Sequence, residues 1–195
     1  MRALRKGTYR AVPGEFYGTP KEVWGFRSPP RKAAPESIAR EFLGANTKLL
    51  GTDASLEGLR HAKTIESLAA HHVIFQQVHH GMRVHRAYVT THLDRRGRVY
   101  MTKNRSVPAV LLPSESAFRV SLDDVIARAR KALPRPARRA VTQDVERLWF
   151  PSRARLEPAW KVRLIRTVPR EEWIVYINAR TGGLLSRFLA LSRIP

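Results

Sequence analysis

His72-Val73-Ile74-Phe75-Gln76-Gln77-Val78 is followed, after His79, by the pair His80-Gly81 and then by Met82-Arg83-Val84-His85. The side chains alternate with a period of two, the period of a β-strand, and His80-Gly81 reads as a tight turn between two strands. Working outward, Leu59 to Ile65 reads as a strand before this stretch and Met82 to Leu93 as a long strand after it. Asp94-Arg95-Arg96-Gly97 turns the chain again, and Arg98 to Lys103 returns it. The four segments form an antiparallel meander. A helix precedes them. Pro35 opens it, Ser37 and Glu41 sit near its start, and Ile38, Phe42, Leu43, Leu49 and Leu50 fall close to one face before Gly51 ends it.

Residues 104–117 form a break around Pro108 and Pro113, and the pattern then repeats. Ser121 is a good N-cap, with Asp123 and Asp124 in the first turn where the helix dipole favours anions. Val125, Ile126, Ala129 and Leu133 give the apolar face; Pro134 and Pro136 stop the helix. Strands are expected over Val145 to Phe150, Glu157 to Ile165 and Glu172 to Asn178, then a turn at Thr181-Gly182-Gly183 and a last strand over Leu184 to Leu189. The expected class is α+β, with two small modules (35–107 and 113–190), each a helix packed on an antiparallel sheet, and a tail of 191–195.

Residues 1–34 show neither period. Pro13, Gly14, Gly18, Pro20, Pro29 and Pro30 interrupt them, and Tyr9, Phe16, Tyr17, Trp24 and Phe26 are interleaved with Arg and Lys. They read as an irregular basic arm. Its aromatics have two uses open to them: stacking on the bases of a single strand, or pinning the arm to the body of the protein.

Thirty-six Lys and Arg against sixteen Asp and Glu give a net charge of +20, most of it from Arg. The excess is +6 over residues 1–34, +5 over 35–113 and +9 over 114–195, so it belongs to the whole surface and not to a tail. Such a surface attracts polyanions in a salt-sensitive way without choosing among nucleic acid, wall polymer, headgroup or acidic protein. The absence of cysteine excludes disulfide and thiol chemistry. No run approaches the roughly 18 apolar residues of a membrane span, and no signal peptide follows the basic start MRALRK.

The motifs that carry chemistry are missing. A zinc peptidase needs H-E-x-x-H, two imidazoles one helical turn apart with a carboxylate to activate water, and no such string occurs. There is no G-x-S-x-G and no Gly-rich phosphate loop. Glu171-Glu172 follows Pro169-Arg170 and reads as a solvated turn. The seven histidines (61, 71, 72, 79, 80, 85 and 92) cluster in the meander, but neighbours on a strand point to opposite faces. The reading is therefore a non-enzyme with no catalytic residue, no metal and no cofactor.

Two stretches match known patterns. His72-Val73-Ile74-Phe75-Gln76-Gln77, Gly81-Met82-Arg83-Val84, and His92-Leu93-Asp94 with Gly97-Arg98-Val99 together resemble the fungalysin/thermolysin propeptide motif. Leu156-Glu157-Pro158-Ala159-Trp160-Lys161-Val162, Trp173 to Ile177 and Asn178-Ala179-Arg180-Thr181-Gly182-Gly183-Leu184-Leu185 resemble the PepSY domain that follows it, which implies a cystatin-like second module. Three departures stand out: Arg83 replaces the family's Pro, His85-Arg86 its aromatic-Gly pair, and Asn178 the Asp of the PepSY turn.

The resemblance implies an inhibitor and folding chaperone of a thermolysin/fungalysin-type zinc metallopeptidase, acting in trans or as an excised prodomain, in a secreted setting. It implies contacts to that catalytic domain through polar sheet positions such as Gln76 and Gln77 and through the apolar tail residues Leu189, Leu191 and Ile194. Each has a plainer reading: the glutamines as backbone partners at a sheet edge, Leu189 as part of a last strand, and Phe75 and Trp160 as core. The other functional class that the charge supports is a stand-alone cationic module for an anionic polymer or acidic protein.

Overall fold

Alternation along the meander becomes a two-faced sheet. The computed structural model describes residues 1–115, 117–134, 139–152, 155–168 and 170–192, in two units, Met1–Leu112 and Pro113–Pro195. The fold is mixed α and β, with strands predominating.

In the first unit, strands β1 (Arg10–Pro13), β2 (Pro20–Trp24), β3 (Leu59–Glu66), β4 (Ala70–His79), β5 (Met82–Asp94) and β6 (Val99–Asn104) form one antiparallel sheet in the order β1-β2-β6-β5-β4-β3. His80 (φ 46°) and Gly81 (φ 74°) both take left-handed backbone at the β4–β5 turn, the geometry that matches the twist of a hairpin. One face carries Val73, Phe75, Val89, Leu93 and Val99, all fully buried. They share a core cluster with Ile38, Ala39, Phe42 and Leu43 of helix α1 (Pro35–Ala45) and Leu50 of the short helix α2 (Thr47–Leu50). Burying a side chain of the size of Phe75 contributes about 1.5–3 kcal/mol.

Two expectations are corrected here. The helix is not continuous from Pro35 to Leu50, because Asn46 leaves the helical region at φ −123° and ψ 22° and separates α1 from α2. Its amide donates to the Phe42 carbonyl at 2.8 Å and accepts from the Leu4 N–H at 2.8 Å, a local alternative to helical bonding. The arm is not wholly irregular either. Strand β2 pairs with β6 through Glu22↔Lys103, Val23↔Thr102 and Trp24↔Met101, and Val23 is 1% exposed in the core. Strands of four and five residues bounded by proline are too short to show a period, and the β6 partner that fixes β2 lies about eighty residues away.

The second unit holds helix α3 (Leu122–Lys131) and strands β7 (Val141–Ser152), β8 (Arg155–Arg166), β9 (Glu171–Asn178) and β10 (Leu184–Ser192), antiparallel in that order. The Ser121 hydroxyl accepts from the Asp124 N–H at 3.2 Å, as a Ser N-cap does. Val125, Ala129 and Leu133 share a buried cluster with Trp160, Val162, Leu164, Val175 and Ile177. Trp160 is 7% exposed and lies under the Arg147 guanidinium, 4.8 Å from the ring centroid.

The β9–β10 turn is set by Asn178. Its Oδ1 accepts from the Arg180 and Thr181 N–H groups at 2.9 and 3.0 Å, so Asn supplies the turn bonds expected of Asp at this position. Gly182 sits at φ 73°. A Cβ there would lie 2.7 Å from Arg128 Cζ.

Candidate functional site

The residues singled out for a partner separate into two groups. Gln77 is 6% exposed, and both ends of its amide are engaged by Val107, with Nε2 to O and N to Oε1 each at 2.8 Å. Gln76 Nε2 lies 2.9 Å from the Gln77 carbonyl oxygen and 2.8 Å from those of Val84 and Ala87. These bonds span the irregular stretch of β5 where Arg86 takes φ 56° and the β4–β5 register shifts. Both glutamine side chains thus bond backbone groups inside the fold, the plainer of the two readings that the sequence offered for them. Phe75 and Trp160 are core, at 0% and 7% exposure.

The apolar tail lies at a margin. Strand β10 pairs with β9 through Phe188↔Ile174, Leu189↔Trp173 and Leu191↔Glu172, and it carries register shifts at Leu184/Ser186 and Leu189/Leu191. Phe188 stacks on Tyr176 at 6.3 Å and stays 37% exposed; Leu189 is 40% exposed. The strand runs on to Ser192, so the start of the expected tail is sheet. Ile194 lies outside the described residues.

Glu171 and Glu172 open β9 and are not solvated as a turn would leave them. Arg163 grips Glu172 with two bonds of 2.7 and 3.0 Å, which holds that carboxyl below the usual carboxylate range. Glu171 accepts from Arg166 at 2.7 Å and from the Trp173 indole at 3.0 Å. Both carboxylates are occupied by sheet contacts.

The histidines have acidic neighbours that the sequence hides. His61 Nδ1 is 3.1 Å from Glu36 Oε2, and His71 Nδ1 is 3.3 Å from Glu66 Oε1. On the other face of β4, His72 Nδ1 lies 2.6 Å from His92 Nδ1, and His72 Nε2 lies 3.1 Å from the Ser67 hydroxyl. Burial, then the charges of His72 and Lys103, push His92 down to about 4. Among the described residues no three His, Asp or Glu side chains converge on one point.

Two clefts of the first unit went unread in the sequence. One, of about 720 Å³, lies between Pro30–Ala33 of the arm, the start of α1 and the β5–β6 turn, with Arg95 and Arg96 on its wall. The other, of about 470 Å³, lies on the face opposite α1, where Lys63, Lys103 and Arg105 surround Ile74 and Tyr88. No helix among the described residues is long and apolar enough to cross a membrane.

The Fungalysin/Thermolysin Propeptide Motif matches residues 59–104, which is β3 to β6 of the first unit. No curated protein matches the chain. Among solved structures, the chain is similar to the Bacillus megaterium YpeB C-terminal domain, with 14% identity, a TM-score of 0.44, and coverage of 90% of this chain and 74% of that one. The matched motif is that of a propeptide, a non-catalytic region of thermolysin- and fungalysin-type peptidases.

Proposed function

We propose that this protein inhibits and assists the folding of a thermolysin/fungalysin-type zinc metallopeptidase, in trans or as an excised prodomain, and works outside the cell. The observation that carries this reading is the propeptide motif over residues 59–104, which coincides with the complete β3–β6 meander. The second unit serves in this reading as a PepSY-like module that presents the tail. Leu189, Leu191 and Ile194 are its contact residues, because peptidases of this type favour large apolar side chains just after the scissile bond. A partner that binds the native peptidase and not its unfolded chain stabilises it by mass action.

The test is direct. The purified chain should inhibit a thermolysin-type peptidase encoded beside it, and deletion of Leu189 to Pro195 should raise the inhibition constant at least tenfold. Absence of inhibition at saturating concentration, across several such peptidases, would overturn the reading.

The net charge of +20, with the cations around the 470 Å³ cleft, favours one other reading: a cationic module for an anionic polymer. Salt separates the two. Polyanion binding falls steeply with ionic strength, whereas an interface built on apolar tail residues depends on it far less.

A further inference from the structure

An antiparallel sheet packed on one face commonly turns polar side chains to solvent on the other. The face of the first sheet opposite α1 departs from this on its interior strands, where Ile74 is half-buried and Tyr88 is 37% exposed. Register sets cations at both ends of this apolar floor. Lys63 pairs with Ile74, Ile74 with Thr90, and Thr90 with Lys103. Side chains paired in this way share a face, with Cβ atoms about 4.5–5.5 Å apart. Arg105 stands beside Tyr88, its N–H donating to the Tyr88 carbonyl at 2.8 Å. These side chains wall the cleft of about 470 Å³.

The three cations are not equally engaged. Lys103 lies 3.5 Å from Glu22. Lys63 and Arg105 form no ion pair and no side-chain hydrogen bond among the described residues. No acidic side chain among the described residues lines the cleft. Unpaired charges of one sign around a concavity focus a positive potential into it. Arg105 is also well anchored. The Ser106 N–H donates to Asn104 Oδ1 at 3.0 Å, and Gln77 holds Val107 by both backbone groups. The backbone that carries the guanidinium is therefore ordered before any ligand arrives, which lowers the cost of binding.

We propose that this cleft binds a small amphiphilic carboxylate. Its apolar body lies on Ile74 and Tyr88, its carboxylate meets the Arg105 guanidinium, and Lys63 and Lys103 flank the two ends. A guanidinium presents a planar fork that matches the two oxygens of a carboxylate. The floor decides against a wholly polar polyanion, whose charges would lose water against Ile74 and Tyr88 without gaining a partner there. Apolar body and anionic head are thus both required. The inference is independent of the proposed peptidase partner.

The experiment is a calorimetric titration of the full chain with 2-naphthoate, with the Ile74 methyl and Tyr88 ring resonances followed by NMR. The expected result is one molecule per chain, with both resonances shifting together. Acetate and 2-naphthylmethanol each lack one half of the ligand and should bind at least about tenfold more weakly. Arg105→Gln should lose about tenfold in affinity for 2-naphthoate and leave 2-naphthylmethanol unaffected. Lys48→Gln, which removes the same charge from the exposed surface of α2, should keep wild-type binding. Equal affinity for acetate and 2-naphthoate, an equal loss in Lys48→Gln, or a silent Ile74 methyl would each overturn the site. Polyphosphate that shifts the Ile74 methyl with a steep salt dependence would give the cleft to an anionic polymer and overturn it as well. The comparison of the three small molecules uses the wild-type chain, so it stands whether or not a variant folds.

Discussion

Gln77 on β4 holds both backbone polar groups of Val107, donating from Nε2 to the carbonyl at 2.8 Å and accepting the N–H on Oε1 at 2.8 Å. A side-chain amide stands in for a neighbouring strand. It fixes the segment after β6, which is held again two residues on by the Ala109 N–H donating to the Gly51 carbonyl at 2.9 Å. Both Gln77 and Val107 are buried, at 6% and 2% exposure, so water cannot replace what the amide supplies.

Gln77→Leu should therefore cost about 2–4 kcal/mol, since it leaves a buried N–H and a buried C=O bare at once. Equilibrium urea unfolding measures this, with the midpoint falling and the slope unchanged. A loss below about 0.5 kcal/mol would mean that the two groups find other partners.

Thr91 and Thr102 face each other across β5 and β6, both fully buried, with neither hydroxyl hydrogen-bonded. Thr91→Val keeps the shape and removes a desolvated hydroxyl. It should raise stability by about 1 kcal/mol, visible as a higher Tm. A lower Tm would place a bonded water at that hydroxyl.

His92 gives the protein a pH-dependent limb. Its folded value of about 4 lies below the ordinary 6.5, mainly because it is buried. Between these values the unfolded chain binds more protons, so stability is full above about pH 6.5 and falls as the pH drops toward 4. Because the ring is only partly shielded from solvent, the loss is about 1–2 kcal/mol. His92→Gln should flatten this limb and leave a lower one, where Glu172 and Asp94, both held below the usual carboxylate range, become protonated. Chemical unfolding at about pH 7, 5.5, 4 and 3 resolves the two, the His92 limb above pH 4 and the carboxylate limb below it.

Gly182→Ala should destabilise the second unit by more than about 1 kcal/mol, because alanine is strained at positive φ. The added methyl also meets the Arg128 guanidinium at 2.7 Å. Gly183→Ala, one residue on, meets only the Thr181 hydroxyl at 3.3 Å and serves as the control. Thermal unfolding of the two variants should separate them by several degrees.

The meander from Leu59 to Lys103 and the capped helix at Ser121 were legible because period and cap chemistry are local properties of the chain. What stayed hidden depends on distance. The bond from Gln77 to Val107 joins residues thirty apart, and β2 becomes a strand only by lying on β6. His61 and His71 gain acidic neighbours from α1 and from the far end of β3. Glu171 and Glu172 read as a solvated turn because the arginines that occupy them stand on the preceding strand, Arg166 directly opposite Glu171 and Arg163 diagonal to Glu172. Distance also hid how the glutamines are held. The Gln76 amide donates to carbonyls around the backbone irregularity at Arg86, and the Gln77 amide holds the loop after β6.

Strand β10 has a mechanical consequence. It is held by β9, with Ser192 opposite Glu171 at one end and Leu184 opposite Ile177 at the other. An edge strand of this kind opens by fraying from its end, where local opening costs the least free energy. The register shift at Leu189/Leu191 divides the process: the outer rungs release first, and peeling then stalls where Phe188 lies on Tyr176, whose ring is 2% exposed. The strand works as a fuse of fixed length, consumable down to Leu189 before the Tyr176 cluster begins to open.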